Sequence, residues 1–164
     1  MNSIATNKQD LVFIVEDNDM YSMMLEYCLS ESDNYRFRKF DKGEDCINSL
    51  KENPMAIVLD FFLPGMNGLK TFRMIREKHP QVPVIMLSVS EDRKTIRELF
   101  AEGLEEYIVK GKDSIEELKE SLQRLVNGRK AERAEAAPAW RKALRVAIPL
   151  ILAGIVTFIV WKSV

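Results

Sequence analysis

Four short apolar runs in this chain each lead to a residue able to do chemistry. LVFIV (11–15) runs into Glu16-Asp17, with Asp19 close behind, and AIVLD (56–60) ends on Asp60. VPVIML (82–87) stops at Ser88, and EYIVK (106–110) ends on Lys110. Carboxylates gathered in one place repel one another and hold their protons unless a cation joins them. A hard divalent ion with oxygen ligands resolves that repulsion, and Mg²⁺ is usually held by one or two carboxylates with phosphate and water. Asp60 can then stay ionised as a nucleophile, since an aspartyl phosphate is an established type of covalent intermediate. The cation and Lys110 would neutralise the transferring phosphoryl oxygens, and Ser88 would hydrogen-bond one of them. Each residue alone is an ordinary strand-end or loop residue. Agreement among four separate strand ends is the signal.

The elements that must bring these residues together follow from the pattern. Five strands are expected over 11–15, 35–40, 56–60, 82–87 and 106–110. Three of them are continuous apolar runs, as in strands buried on both faces of a parallel sheet. Helical patterns fall between and after them, at about 20–31, 43–52, 68–78, 91–102 and 113–127. Pro54 and Pro80 sit just past the second and third helices, and Gly103 ends the fourth. Ser90-Glu91-Asp92 gives the fourth helix a polar start. Five such units make an α/β, open, doubly wound sheet of five parallel strands with five helices, in either of the two common strand orders. Ligands in such a sheet bind beyond the carboxyl ends of the strands, where these residues cluster.

Bulk properties narrow the function. The net charge of −1 hides an asymmetry: residues 1–123 hold 16 Lys/Arg against 23 Asp/Glu, whereas 124–145 hold seven against two. An acidic body repels nucleic-acid phosphate, so nucleic acid is not expected as a partner. Cys28 and Cys46 form neither a metal-ligand spacing nor a C-x-x-C pair, and both fit buried apolar positions. The start MNSIATNKQD has no apolar core, so no cleavable signal is expected. His79, beside Pro80 at a helix end, reads as an exposed loop residue. Met20, Met23 and Met24 read as partly core, and Arg93, Lys94 and Arg97 as a solvated face.

The segments VEDND (15–19), LDFFLPGMNGL (59–69), MLSVSED (86–92) and EGLEEYIVK (102–110) closely resemble the receiver domain of two-component response regulators, over roughly 10–127. The resemblance implies a flavodoxin-like sheet in strand order 2-1-3-4-5, with Asp60 as the phosphoacceptor and Glu16, Asp17, Asp60 and the Phe62 carbonyl holding Mg²⁺. It further implies that Lys110 contacts the phosphoryl group and that Ser88 and Tyr107 form the switch pair. Pro64-Gly65 and Gly68 match the family's tight turn into the third helix. Two departures stand out. Gly111 replaces the family's usual proline after the lysine, which frees the loop's geometry. Val89 stands where a small alanine is commoner and would narrow access to the site.

The resemblance makes a histidine kinase or phosphotransfer protein the expected phosphoryl donor. The chain's own chemistry would be phosphorylation from a donor and autodephosphorylation, not metabolic catalysis. Dimerisation through the face of the fourth and fifth helices is a further expectation. A phosphorylation-independent scaffold using the same fold as a binding surface is the alternative, against which the complete acid, serine and lysine set argues. A flavin or nucleotide site would need a phosphate cradle after the first strand. Glu16-Asp17-Asn18-Asp19 would repel one.

After a short N-terminal tail (1–9) and the receiver (10–127), composition changes to a basic, Ala-rich linker (128–142). The 37 residues after Asn127 show no helix-turn-helix pattern, so DNA binding is not expected. No charged residue lies between Val146 and Trp161, and Trp140 and Trp161 bracket the apolar stretch. The interval between those tryptophans spans roughly 31 Å as a helix at about 1.5 Å per residue, near the hydrocarbon thickness. The expectation is a transmembrane helix over 143–161 with a short tail (162–164). Trp residues favour the interface, and the basic flank places the receiver on the cytoplasmic side of a single-pass, tail-anchored protein.

Overall fold

The computed structural model describes residues 9–32 and 34–136. Five strands alternate with five helices: β1 (Asp10–Val15), α1 (Asp19–Leu29), β2 (Tyr35–Phe40), α2 (Gly43–Ser49), β3 (Ala56–Asp60), α3 (Gly68–Lys78), β4 (Val84–Ser88), α4 (Arg93–Ala101), β5 (Glu106–Val109) and α5 (Ser114–Glu135). All strand pairs are parallel, in the order β2-β1-β3-β4-β5. β3 and β4 are buried at every residue, and β1 at all but its first. β2 and β5 keep exposed positions because each is an edge strand.

Pleating sends alternate side chains to opposite faces and divides the core in two. Phe13, Ile57, Leu59 and Met86 pack with Ile47, Phe72, Ile75 and Leu99 from α2, α3 and α4. Val12, Ile14, Val58, Ile85 and Leu87 pack with Leu25, Leu118 and Leu122 from α1 and α5. Cys46 lies in the first layer, where burial pushes its thiol up to about 12. Cys28 is partly exposed. A thiol reagent at mildly alkaline pH is therefore expected to modify Cys28 alone in the native protein, and both cysteines after denaturation.

Element ends differ from the sequence pattern for local reasons. β4 begins at Val84 because Pro83 has no N–H for the ladder, although its carbonyl still accepts from Ile57 at 3.0 Å. α4 begins at Arg93, since the Asp92 carboxylate caps it by accepting from the Lys94 and Thr95 amides at 3.2 Å each. α4 ends at Ala101, and Gly103 two residues on takes a φ of +92° that suits the left-handed stop. α2 closes at Ser49 into a 3₁₀ turn over Leu50–Glu52.

α5 runs past residue 127 to Glu135. Gly128 costs the helix about 1 kcal/mol, but Lys, Ala, Glu and Arg after it are strong helix formers. By internal contacts the chain divides into residues 1–127 and 128–164. Among the described residues no helix is long and apolar enough to cross a membrane. The stretch expected to do so, 143–161, lies outside the described residues, as do 1–8.

Candidate functional site

Register assembles the site. Val15 pairs with Leu59, Asp60 with Leu87, and Ser88 with Val109. Glu16, Asp60, Ser88 and Lys110 are thereby lined up along the carboxyl edge of four adjacent strands. The Glu16 amide donates to the Phe40 carbonyl at 2.9 Å, and the Lys110 amide to the Ser88 carbonyl at 2.8 Å, so the ladder reaches into the site from both sides.

Glu16, Asp17 and Asp60 offer carboxylate oxygens within 4.8 Å of one another. Glu16 is 4% and Asp60 5% exposed, while Asp17 is exposed. Lys110 spans the two buried acids. Its ammonium donates to Glu16 Oε2 at 2.7 Å and lies 3.1 Å from Asp60 Oδ1. The second contact is an ion pair whose angle falls short of a hydrogen bond, so Asp60 Oδ1 is a buried oxygen without a hydrogen-bond partner. Burial pushes the Asp60 carboxyl above its ordinary range despite Lys110. Burial also raises Glu16, with the charge of Asp60 adding to the rise and Lys110 opposing it. Burial works against the Lys110 ammonium, yet Glu16 and Asp60 together hold its pKa up. One ammonium faces two buried carboxylates. This set of three carboxylates, with an Asp60 oxygen that accepts no hydrogen bond, fits a small divalent cation.

The switch candidates meet at one residue, Ser90. Ser88 is fully buried and its Oγ accepts from the Ser90 amide at 3.0 Å, while the Tyr107 hydroxyl donates to the Ser90 carbonyl at 2.8 Å. Both therefore hold the loop that enters α4. Phe62 is half exposed in the loop after β3, stacked edge-on against Phe61. Val89 is exposed beside the site.

Gly68 opens α3 against the back of the site. A Cβ there would stand 2.2 Å from the Asp60 carbonyl oxygen and 2.6 Å from Phe61 Cα, distances only backbone movement could relieve. Gly68→Ala is expected to lose about 1–3 kcal/mol of stability, measured by denaturant unfolding.

Several contributors were not legible from the strand-end pattern. Asn18 caps α1 by accepting from the Tyr21 amide at 2.9 Å, and its own amide donates to Glu16 Oε1 at 3.4 Å. The Tyr21 ring lies under the Lys110 ammonium, 4.4 Å from its centroid. Gly111 donates to Ser114 Oγ at 3.2 Å and accepts from it at 2.8 Å. Proline could not make the first bond. An Asn before a helix is a readable cap signal; the ring under Lys110 has no sequence signature.

An acidic pocket with a lysine at the switch end of an open parallel sheet defines a class of phosphoryl-accepting α/β domains. Residues 12–123 match the response regulator receiver domain family, and the chain belongs to it. It is 33% identical over 100 residues to the transcriptional regulatory protein SrrA of Staphylococcus aureus, covering 60% of this chain and 41% of that protein. The match thus spans about two fifths of that relative's length. The fold is similar to a DNA-binding response regulator of the LuxR family from Staphylococcus aureus (26% identity, TM-score 0.65, 71% of this chain and 98% of that one). It is also similar to the signal receiver domain assigned to a LuxO repressor of Vibrio parahaemolyticus (21% identity, TM-score 0.73, 79% and 99%). Receiver domains partner with histidine kinases.

Proposed function

We propose that this chain is a membrane-tethered response regulator that takes a phosphoryl group on Asp60 from a histidine kinase or phosphotransfer protein. The observation that carries the reading is the pairing of one ammonium with two buried carboxylates at the sheet edge, where Asp60 Oδ1 is ion-paired with Lys110 but accepts no hydrogen bond. Glu16, Asp17, Asp60 and the Phe62 carbonyl would hold Mg²⁺, which when bound supplies positive charge against the carboxylates and the incoming phosphoryl oxygens. An Asp60 carboxylate oxygen attacks phosphorus, a new O–P bond forms, and the donor leaves with the electron pair of the broken bond. Lys110 holds negative charge at the attacking side throughout.

Ser88 turns its hydroxyl from the Ser90 amide to a phosphoryl oxygen, and that release loosens Ser90. Tyr107, which grips the same residue through its carbonyl, then moves with the loop and alters the surface around α4 for a protein partner. Exposed Val89, Phe100 and Val109 make this surface suitable for a second copy or another protein. The uncharged run from Val146 to Trp161 and the basic residues before it support a cytoplasmic receiver on a single-pass anchor.

Two experiments test the reading. Addition of beryllofluoride with Mg²⁺ is expected to shift the amide resonances of Ser88, Ser90 and Tyr107; an unchanged spectrum contradicts the switch. The full-length chain is expected to sediment with membranes and to need detergent for release. Full-length protein that is soluble without detergent removes the anchor and leaves the receiver.

A further inference from the structure

Lys110 is the one cation in contact with Glu16 and Asp60 among the described residues, and it sits at the mouth of a loop that continues into Gly111. A Cβ at Gly111 would meet nothing closer than the Val109 carbonyl at 3.8 Å, so packing does not fix this residue. A long, flexible lysine at the start of such a loop needs other restraints to hold one position. Two are present, and they come from different helices.

The first is Tyr21. Its ring centroid lies 4.4 Å from Lys110 Nζ, well within cation–π range. Tyr21 is itself half-buried against the layer formed by β1, β3, α1 and α5, so the ring does not swing freely. Its amide is held by the Asn18 side chain, whose own amide contacts Glu16. One turn of chain therefore carries the acidic pair and the ring under the lysine. The second restraint is Ser114 at the start of α5, which binds both the amide and the carbonyl of Gly111.

We infer that Tyr21 is a positioning residue for Lys110: its ring, with Ser114 fixing the backbone at Gly111, holds the ammonium over the acidic pocket where a phosphoryl oxygen would arrive. This rests on the proposed role of Lys110 in phosphoryl binding. Phenylalanine at position 21 keeps the ring face and should preserve the effect, whereas leucine or methionine keeps the apolar body and loses it.

The test has two readouts on the full-length protein in detergent. In the absence of any phosphoryl mimic, the ε-methylene protons of Lys110 are expected upfield of their usual position in the wild type and in Tyr21→Phe. They should return to that position in Tyr21→Leu. With Mg²⁺ present, beryllofluoride affinity measured by calorimetry is expected to stay within about twofold of wild type in Tyr21→Phe and to fall about fivefold in Tyr21→Leu. Tyr21→Met serves both readouts if the leucine variant does not fold. An unshifted Lys110 in the wild type, or Leu and Met variants that bind the mimic as tightly as wild type, overturns the inference. A wild type that binds no mimic at all overturns the phosphorylation reading, and the ring shift then still decides where Lys110 is held.

Discussion

Asp60→Asn is expected to accept no phosphoryl group and, without divalent cation, to unfold at a higher denaturant concentration than the wild type. The first half follows from the nucleophile, because an amide nitrogen and carbonyl do not displace a leaving group from phosphorus as a carboxylate does. The second follows from burial. Asp60 and Glu16 share one ammonium, and desolvation is the largest influence on both carboxyls. Asparagine keeps the shape and removes one buried charge, for a gain of about 1–3 kcal/mol.

The pH dependence has a definite sign. The folded protein holds the Asp60 proton more tightly than the unfolded chain, whose carboxyl titrates near 3.8. The associated stability is fully present below that value and is lost as pH rises through the higher folded one. The variant lacks this part of the decline. Mg²⁺ is expected to reverse the ranking, since a ligand that binds the native state of the wild type stabilises it by mass action. Denaturant unfolding of both proteins, with and without Mg²⁺, measures all of this. A variant no more stable than wild type in the absence of cation would show that Lys110 already neutralises Asp60 fully.

Lys110→Met acts in the opposite direction. It removes the ammonium that lies 2.7 Å from Glu16 and 3.1 Å from Asp60 and leaves two buried carboxylates facing each other. Deleting one partner of a buried ion pair costs about 3–5 kcal/mol. The loss is expected at neutral pH without cation. It should shrink toward the acid end of the folded range, where both carboxyls take up protons, and on addition of Mg²⁺. Phosphoryl transfer to Asp60 is expected to be much slower in the variant even where Mg²⁺ restores its stability. Unfolding curves at neutral and acid pH check the first claim, and the initial rate of acyl-phosphate formation checks the second.

Much of the fold was readable because the buried strands carry their signature in composition. LVFIV, AIVLD and VPVIML are apolar on both faces, which only a covered parallel strand requires. Each reactive residue was found by looking where such a run stops. What joins those ends into one site is register, and register depends on pairings between distant segments that no local pattern specifies. The same limit hid Tyr21. Its ring matters through Lys110, separated from it by most of the domain, and as a sequence letter it was one more aromatic on an amphipathic helix. Helix ends erred where a side chain decided them. Asp92 moved the start of α4 by capping it, and good helix formers carried α5 through Gly128. The two family departures read differently in three dimensions: Gly111 contributes an amide to Ser114, while exposed Val89 leaves the fully buried Ser88 in place beneath it.

The site's central claim is that Asp60 carries the phosphoryl group. Wild-type protein and Asp60→Asn would be incubated with Mg²⁺ and acetyl phosphate, examined by intact mass, then reduced with borohydride and mapped by peptide. The account predicts one phosphoryl group on the wild type, lost with hydroxylamine, conversion of residue 60 to homoserine, and no gain in the variant. An unmodified wild type, or equal labelling of Asp60→Asn, would contradict it.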